Sequence, residues 1–274
     1  MSSFKNIIKK GFNALGYEMV SNEARKNSER EIANLNHALS RLVFIVSHSK
    51  AGKEHDETIA LLNYSAGKLI KSKAQLFQDL FVLYSLKEKR DGFFIEFGAT
   101  DGVSLSNTYL LEKEYNWKGI LAEPGKVWQQ KLKENRNCFI DNRCVWTKTG
   151  DRLIFQETNM AELSTINTYA DADYFVEERK DNKVYEVETI SLKDLLSFYN
   201  APTDIDYLSI DTEGSEFDIL NAFDFSKYNI KIITVEHNYA LKRVEIFNLL
   251  ESNGYKRVFE SVSLFDDWYI RESI

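Results

Sequence analysis

Apolar residues follow two rhythms along this chain, and the rhythm changes near Lys73. Before that point they fall three and four apart. Phe4, Ile7, Ile8, Phe12 and Leu15 do so with Lys5, Lys9 and Lys10 elsewhere on the turn, which predicts an amphipathic basic helix over 4–16. Ile32, Leu35, Leu39, Leu42 and Val46 repeat at alternating threes and fours in a second helix over 28–47, opened by the capping-box run Ser28-Glu29-Arg30-Glu31. That seam is just over two heptads long. Packing on the rest of the chain and self-association into a homo-oligomer are equal readings of it. For the first helix the alternatives are docking on the protein's own core and weak contact with a membrane surface.

Beyond Lys73 helical stretches alternate with short apolar runs. The pattern predicts a helix over 75–86, a strand over 93–97, a helix ending near Glu114, a strand over 119–122 and a helix over 126–135. An extended segment follows at 138–140, then a strand at 206–210, a helix at 215–223, a strand at 230–235 and a helix at 241–253. Runs 255–260 and 268–271 read as closing strands, antiparallel because only a short turn joins them. Strands alternating with helices make a mostly parallel α/β sheet covered on both faces. This divides the chain into an N-terminal helical extension (1–73) and an α/β domain (74–274). The long segment 156–188, rich in Tyr, Asp and Glu, reads as a substrate lid or a solvated insertion, with Asn159 to Thr165, Tyr169, Tyr174 and Phe175 as the lid's contacts.

The 274 residues carry a formal net charge of -7, so no basic face marks the chain as a nucleic-acid binder. No apolar run approaches the ~18 residues of a membrane span. Cys138 and Cys144, six positions apart on an extended segment, would lie ~20 Å from each other, too far for a disulfide. Reduced thiols point to the cytoplasm, with attachment to the inner face of a membrane left open by the basic helix.

Doubly wound sheets bind ligands beyond the carboxyl ends of their strands, where the strand order reverses. After the first strand stands Glu96-Phe97-Gly98-Ala99-Thr100-Asp101-Gly102, an E-x-G-x-x-x-G loop rather than the G-x-G-x-x-G of dinucleotide sites. Its glycines permit a sharp turn, and its acids suit a ligand with an ammonium or sulfonium centre rather than a pyrophosphate. After the second strand comes Glu123, placed to accept both hydroxyls of a ribose. Asn142, Arg143 and Cys144 follow the third and could line an adenine pocket, though Cys144 reads equally as a small core residue. Asp211 follows the fourth, and Glu236 and His237 the fifth. A histidine there can act as a general base, and Asp211, Glu236 and His237 could together hold a divalent cation such as Mg²⁺ or Mn²⁺.

These blocks resemble, in order, the FkbM family of S-adenosylmethionine-dependent methyltransferases: Gln78 to Val82, Phe94 to Gly102, Ser106 to Thr108, Trp117 to Pro124, Leu208 to Glu216 and Val235 to Asn238. The likeness spans about residues 74 to 270. It implies a class I methyltransferase fold, a Rossmann-like seven-stranded sheet, and O-methylation of a hydroxyl on a sugar, glycan precursor or similar small metabolite. It also implies roles for single residues. Glu96, Gly98, Ala99, Asp101 and Gly102 would surround the methionine part of S-adenosylmethionine, and Glu123 with Pro124 would bind its ribose. Asn142 to Cys144 would sit near the adenine, while Gln78, Asp79, Ser106 and Asn107 would cover the cofactor. Asp211, Glu213 and His237 would face the methyl group, His237 taking the acceptor's proton with Asp211 orienting it or sharing a metal. Thr100, where such loops often have Asn, and Lys126 depart mildly from the pattern. Two competing readings are a nicotinamide-dependent oxidoreductase, which the loop spacing and its acids disfavour, and a non-catalytic assembly scaffold.

Overall fold

The computed structural model describes residues 33, 39–40, 55–158, 165–166 and 182–272. The chain divides into two compact units, Met1–Val43 and Phe44–Ile274. In the first, Ala33, Leu39 and Ser40 are helical and exposed. The predicted helix over 4–16 and the rest of 28–47 lie outside the described residues, as do the lid contacts other than Thr165. Among the described residues no helix is long and apolar enough to cross a membrane.

The second unit begins with α1 (His55–Ala66), which lies against α2 (Gln78–Ser85). Thr58 and Ser261 share a hydrogen bond through their hydroxyls, and Tyr64 donates one to Glu88. Residues 55–73, counted with the N-terminal extension on sequence grounds, thus touch the α/β domain. Then come β1 (Phe93–Phe97), α3 (Tyr109–Tyr115), β2 (Lys118–Ala122), α4 (Gln129–Asn135) and β3 (Phe139–Asp141). Further on, β8 (Asp204–Ile210), α6 (Glu216–Asn221), β9 (Asn229–Glu236), α7 (Arg243–Ser252), β10 (Tyr255–Val258), α8 (Glu260–Ser263) and β11 (Asp266–Arg271) complete a seven-stranded sheet. Its order is β10-β11-β9-β8-β1-β2-β3. All neighbours run parallel except β11, which is antiparallel to both β9 and β10. This is the Rossmann-like, mostly parallel seven-stranded α/β sheet that the resemblance implies. Strands β1, β8 and β9 are mostly apolar and buried, as strands covered on both faces must be, with Glu96, Asp206 and Thr234 among the buried polar exceptions. The chain steps from β1 to β2 and β3, then returns to β8 on the other side. The order therefore reverses between β1 and β8, and a crevice opens beyond their carboxyl ends.

A second sheet, not predicted from the sequence, fills the interval between β3 and β8. Strands β4 (Cys144–Trp146), β5 (Arg152–Thr158), β6 (Thr165–Ile166) and β7 (Asn182–Ser191) pair in the order β4-β7-β5-β6. Phe155, Ile166, Val187 and Cys144 form its small core. Helix α5 (Leu192–Phe198) leads back to the main sheet, its first turn capped by Ser191, whose hydroxyl accepts the Asp194 amide. The two cysteines do not share one strand as their spacing suggests. Cys138 precedes β3 and Cys144 opens β4, and both are free thiols.

The amino end of the central sheet is fixed by Asp206. Its buried carboxylate accepts from Lys89 at 2.7 Å, Lys231 at 2.7 Å and the Phe93 amide at 3.0 Å, so one acid ties β8, β9 and the start of β1 together. These partners hold its pKa below the usual range against the opposing effect of burial. Replacing Asp206 by Ala leaves two lysines facing each other over an orphaned amide. The expected loss is about 2–3 kcal/mol of unfolding free energy in a urea titration, discounted from a fully buried pair because both lysines reach solvent. A loss below ~1 kcal/mol would mean that solvent already screens the cluster.

Candidate active site

At the end of β1 the backbone turns at Gly98 with φ +76°, and a Cβ built there would lie 2.0 Å from the carbonyl oxygen of Asp211. Only glycine lets the ends of β1 and β8 approach this closely. Two residues earlier, Glu96 points into the fold and its carboxylate is fully engaged. It accepts from the Ser106 hydroxyl, the Asn107 amide at 2.7 Å and the Thr108 hydroxyl. The loop from 98 to 108 is thereby wrapped around an acid rather than left to solvent.

Behind this loop lies Arg136, which no motif in the sequence marks. Its side chain is 0% exposed and donates to Glu112 at 2.7 Å, to the carbonyl of Gly102 and to the hydroxyls of Ser106 and Thr108, with Glu96 3.7 Å away. Gly102 is needed here as well, since a Cβ would meet Leu132 and Arg136 within 2.7 Å. Asp101 caps the turn, accepting the amides of Val103 and Ser104.

The crevice beyond β1 and β8 is a pocket of about 240 Å³. Of the predicted site residues it gathers Glu96, Gly98, Asn107, Glu123, Pro124, Cys144, Asp211, Glu213 and Glu236. Glu123, at the end of β2, is buried. One oxygen accepts the Thr100 amide at 2.9 Å and the other the Gly125 amide at 2.7 Å, leaving a lone pair on each for a ligand. Opposite the acids, the second sheet supplies an apolar wall of Val145, Phe155 and Ile166 beside Cys144. Gln75, Leu105 and Phe265 are also among the lining residues. None of these six apolar and amide side chains is marked in the sequence; nothing in a β-strand's alternation says which ligand its buried face will meet.

Several expected contacts fall elsewhere. Gln78 donates to Asp266 and accepts from the Leu76 amide, while Asp79 accepts from Ser72 and from Leu80; both sit inside α2's packing rather than on the pocket. Ala99 and Ser106 are buried beneath the loop. Asn142 and Arg143 line a separate surface hollow with Phe198 and Tyr199, and Arg143 is held by a two-pronged ion pair to Asp141.

His237 requires a correction. Consecutive residues of an extended chain face opposite ways, so with Glu236 in the pocket His237 turns from it. Its Nδ1 accepts the Tyr239 amide at 3.0 Å and its Nε2 faces Asp267 at 3.7 Å. Burial, opposed by Asp267, lowers its pKa to about 4, so the ring is neutral and its basic nitrogen is already occupied. The acid cluster that could hold a metal is accordingly Asp211, Glu213 and Glu236, whose oxygens lie within 4.8 Å of one another; Glu213 takes the place expected for His237.

The charge pattern of the pocket is one-sided. Five acids line it, Glu96, Glu123, Asp211, Glu213 and Glu236, and no described lining residue is Lys, Arg or His. Burial, then the charges of Asp211 and Glu157, raise Glu123 to about 7 despite its two amide donors. Burial likewise raises Asp211 to about 6, against a hydrogen bond with Glu236. Glu236 is raised further, by burial first and then by Asp211 and Glu213, so it carries the proton of the pair. Asp266, behind the pocket, is raised to about 7 by burial.

Folded carboxyls with raised pKa hold protons that the unfolded chain, with values near 4, has released, so they make stability fall as pH rises. Buried neutral His237 acts in the opposite sense between about 4 and 6.5, which leaves pH 6.5 to 8 as the window where the carboxyls act alone. The ligand-free protein should lose on the order of 3–4 kcal/mol of unfolding free energy across that window, since each proton kept by the fold but released by the unfolded chain contributes about 1.4 kcal/mol per pH step of one, Glu236 keeping its proton throughout and Glu123 and Asp266 releasing theirs midway. Glu123→Gln should flatten the slope in urea melts. An unchanged slope would show that Glu123 titrates normally.

The solved structures that match include two of low similarity. The precorrin-6y C5,15-methyltransferase from Geobacter metallireducens GS-15 shares 10% identity over 66% of this chain and 71% of its own, with a TM-score of 0.35. A fibrillarin/Nop5p complex shares 14% identity over 73% and 81%, with a TM-score of 0.32. No curated protein matches the sequence at a significant level. Residues 96–257 match the methyltransferase FkbM domain, a span that starts at Glu96 and runs through every acid of the pocket. With more than half its length inside that match, the chain belongs to the FkbM methyltransferase domain family.

Proposed function

We propose that the protein is an S-adenosylmethionine-dependent O-methyltransferase acting on a hydroxyl of a sugar, glycan precursor or similar small molecule. The observation that carries this reading is the pocket's lining: five acids, no cation among the described residues and one apolar wall. Such a lining favours a ligand with positive charge at one end and a flat heterocycle at the other. It disfavours a nicotinamide dinucleotide, whose pyrophosphate seeks amides and cations. Bound there, S-adenosylmethionine would supply an electrophilic methyl group on a sulfonium. Glu123 would accept the ribose hydroxyls, Val145, Phe155 and Ile166 would cover the adenine, and the loop from Glu96 to Asn107 would enclose the amino-acid end.

The acceptor hydroxyl must be aligned and lose its proton. Alignment contributes the larger share, on the order of 7 kcal/mol or more. The proton goes to the cluster at the ends of β8 and β9. Asp211, raised to about 6, is largely ionised at pH 7.5 yet basic enough to accept it, while protonated Glu236 holds Asp211 in place. A second reading has one observation behind it: three oxygens within 4.8 Å could instead hold a divalent cation that acidifies the hydroxyl. Cation binding would displace the Glu236 proton and strengthen with rising pH.

Calorimetric titration with S-adenosylhomocysteine, with and without Mg²⁺ or Mn²⁺, tests the reading. Binding is expected, and binding of NAD⁺ is not; the reverse result would overturn the assignment. Asp211→Asn should lower turnover by about 10²- to 10⁴-fold with S-adenosylhomocysteine affinity within a few-fold of the parent. His237→Ala should lose about tenfold at most, because its imidazole positions the turn after β9 and does not reach the pocket. A larger loss in His237→Ala than in Asp211→Asn would restore the histidine as base.

A further inference from the structure

Past the end of β9 the chain makes a turn that contains two successive non-glycine residues in the left-handed region, Asn238 at φ 42° and Tyr239 at φ 57°. Non-glycine residues held there are strained and persist only where the surroundings impose them. Here the imposition is visible. His237 and Asn238 both donate their amides to the carbonyl of Phe265, and the His237 ring accepts the next amide but one. The turn fixes Asn238 as a partition. Together with Glu236 it lines the acid pocket on one side and, on the other, a second hollow of about 190 Å³ beneath α7.

The hollow is lined by Ala240, Leu241 and buried Ile246 together with His237, Lys242 and Arg243, and the surface around the turn beside it is unusual for a solvated loop. Leu241 is 95% exposed, Val244 64% and Tyr239 61%, three large apolar side chains within six residues. The charges nearby are already matched. Lys242 donates to Asp218 at 2.6 Å, Arg243 forms a two-pronged pair with Asp267 at 2.9 and 2.8 Å, and Glu216 accepts the amides of Thr212 and Gly214. An anionic acceptor would find no unmatched cation among the described residues there, whereas an apolar chain would find a lined hollow continuous with an apolar rim.

We propose that this hollow is the acceptor's subsite, and that the acceptor is an uncharged amphiphile. Its hydroxyl passes the Glu236–Asn238 partition into the acid pocket while its aliphatic portion lies over Ala240 and Ile246 and along Leu241 and Val244. The proposal rests on the methyltransferase reading for the purpose of the site, but the hollow's preference for an apolar chain is testable without turnover. Leu241 and Val244 set the chain preference and touch neither the acids nor the cofactor pocket.

The test is calorimetric titration of the full-length protein with n-octyl and methyl β-D-glucopyranoside, the former below its micelle concentration, with and without S-adenosylhomocysteine. Each buried methylene is worth about fourfold in affinity, so the octyl glycoside should bind at least about tenfold more tightly than the methyl one. Leu241→Glu with Val244→Glu should remove that advantage and leave S-adenosylhomocysteine binding unchanged; both side chains are exposed, so the fold should tolerate the change. Equal affinity for the two glycosides, or an octyl preference that survives the double substitution, would overturn the proposal. Loss of S-adenosylhomocysteine binding in the parent, with the glycoside preference intact, would instead remove the methyltransferase reading and leave an apolar-chain site.

Discussion

A guanidinium that never meets water organises this site. Arg136 is the buried cation among Glu96, Glu112 and the loop from Gly102 to Thr108, and each of its three nitrogens donates to an acceptor there. Burying such a charge is tolerable only with close pairing and hydrogen bonding, and both conditions are met. The effect is to offset part of the negative charge at Glu96 from behind, where no ligand reaches, so that the front of the pocket can stay wholly acidic. Without that counter-charge Glu96 would join four other carboxyls with only the Ser106, Asn107 and Thr108 donors to balance it.

The remaining repulsion is handled by protons. Glu236 keeps its hydrogen and shares it with Asp211, while Glu123 sits between two amides. A positively charged ligand would relieve all three at once, which makes ligand binding and carboxyl ionisation two faces of one equilibrium. The apo pocket is thus tense in a specific sense: its charge is arranged for a partner and only partly neutralised in the partner's absence.

The main sheet is legible in the sequence because strands covered on both faces are mostly apolar. The run Phe93–Phe97 marks its strand to the residue, and the acids after β1, β2, β8 and β9 follow from topology alone. The second sheet is hidden for the opposite reason. Strands β5 and β7 bury one face only, so Arg152, Glu186 and Glu188 alternate with Phe155, Tyr185 and Val187 and the whole reads as a charged insertion. His237 misleads because proximity in sequence is not proximity in space at a strand end, where one step reverses the side chain. Arg136 stays invisible because its role depends on a loop some thirty residues earlier, and no local spacing records that.

The pairing of β4 with β7 carries one more consequence. Cys144 opposes Thr189, 45 positions later, and β4 joins no other described strand. The apolar wall of the pocket therefore depends on its own loop closure, longer than any in the central β1–β2–β3 run but shorter than the one that brings Tyr207 of β8 to Phe94 of β1. A chain that had formed its main sheet but not this contact would already display the five acids and still lack a surface for a heterocycle. Recognition of a charged, flat ligand would thus require both closures, separating molecules that have completed the second sheet from those that hold only the first.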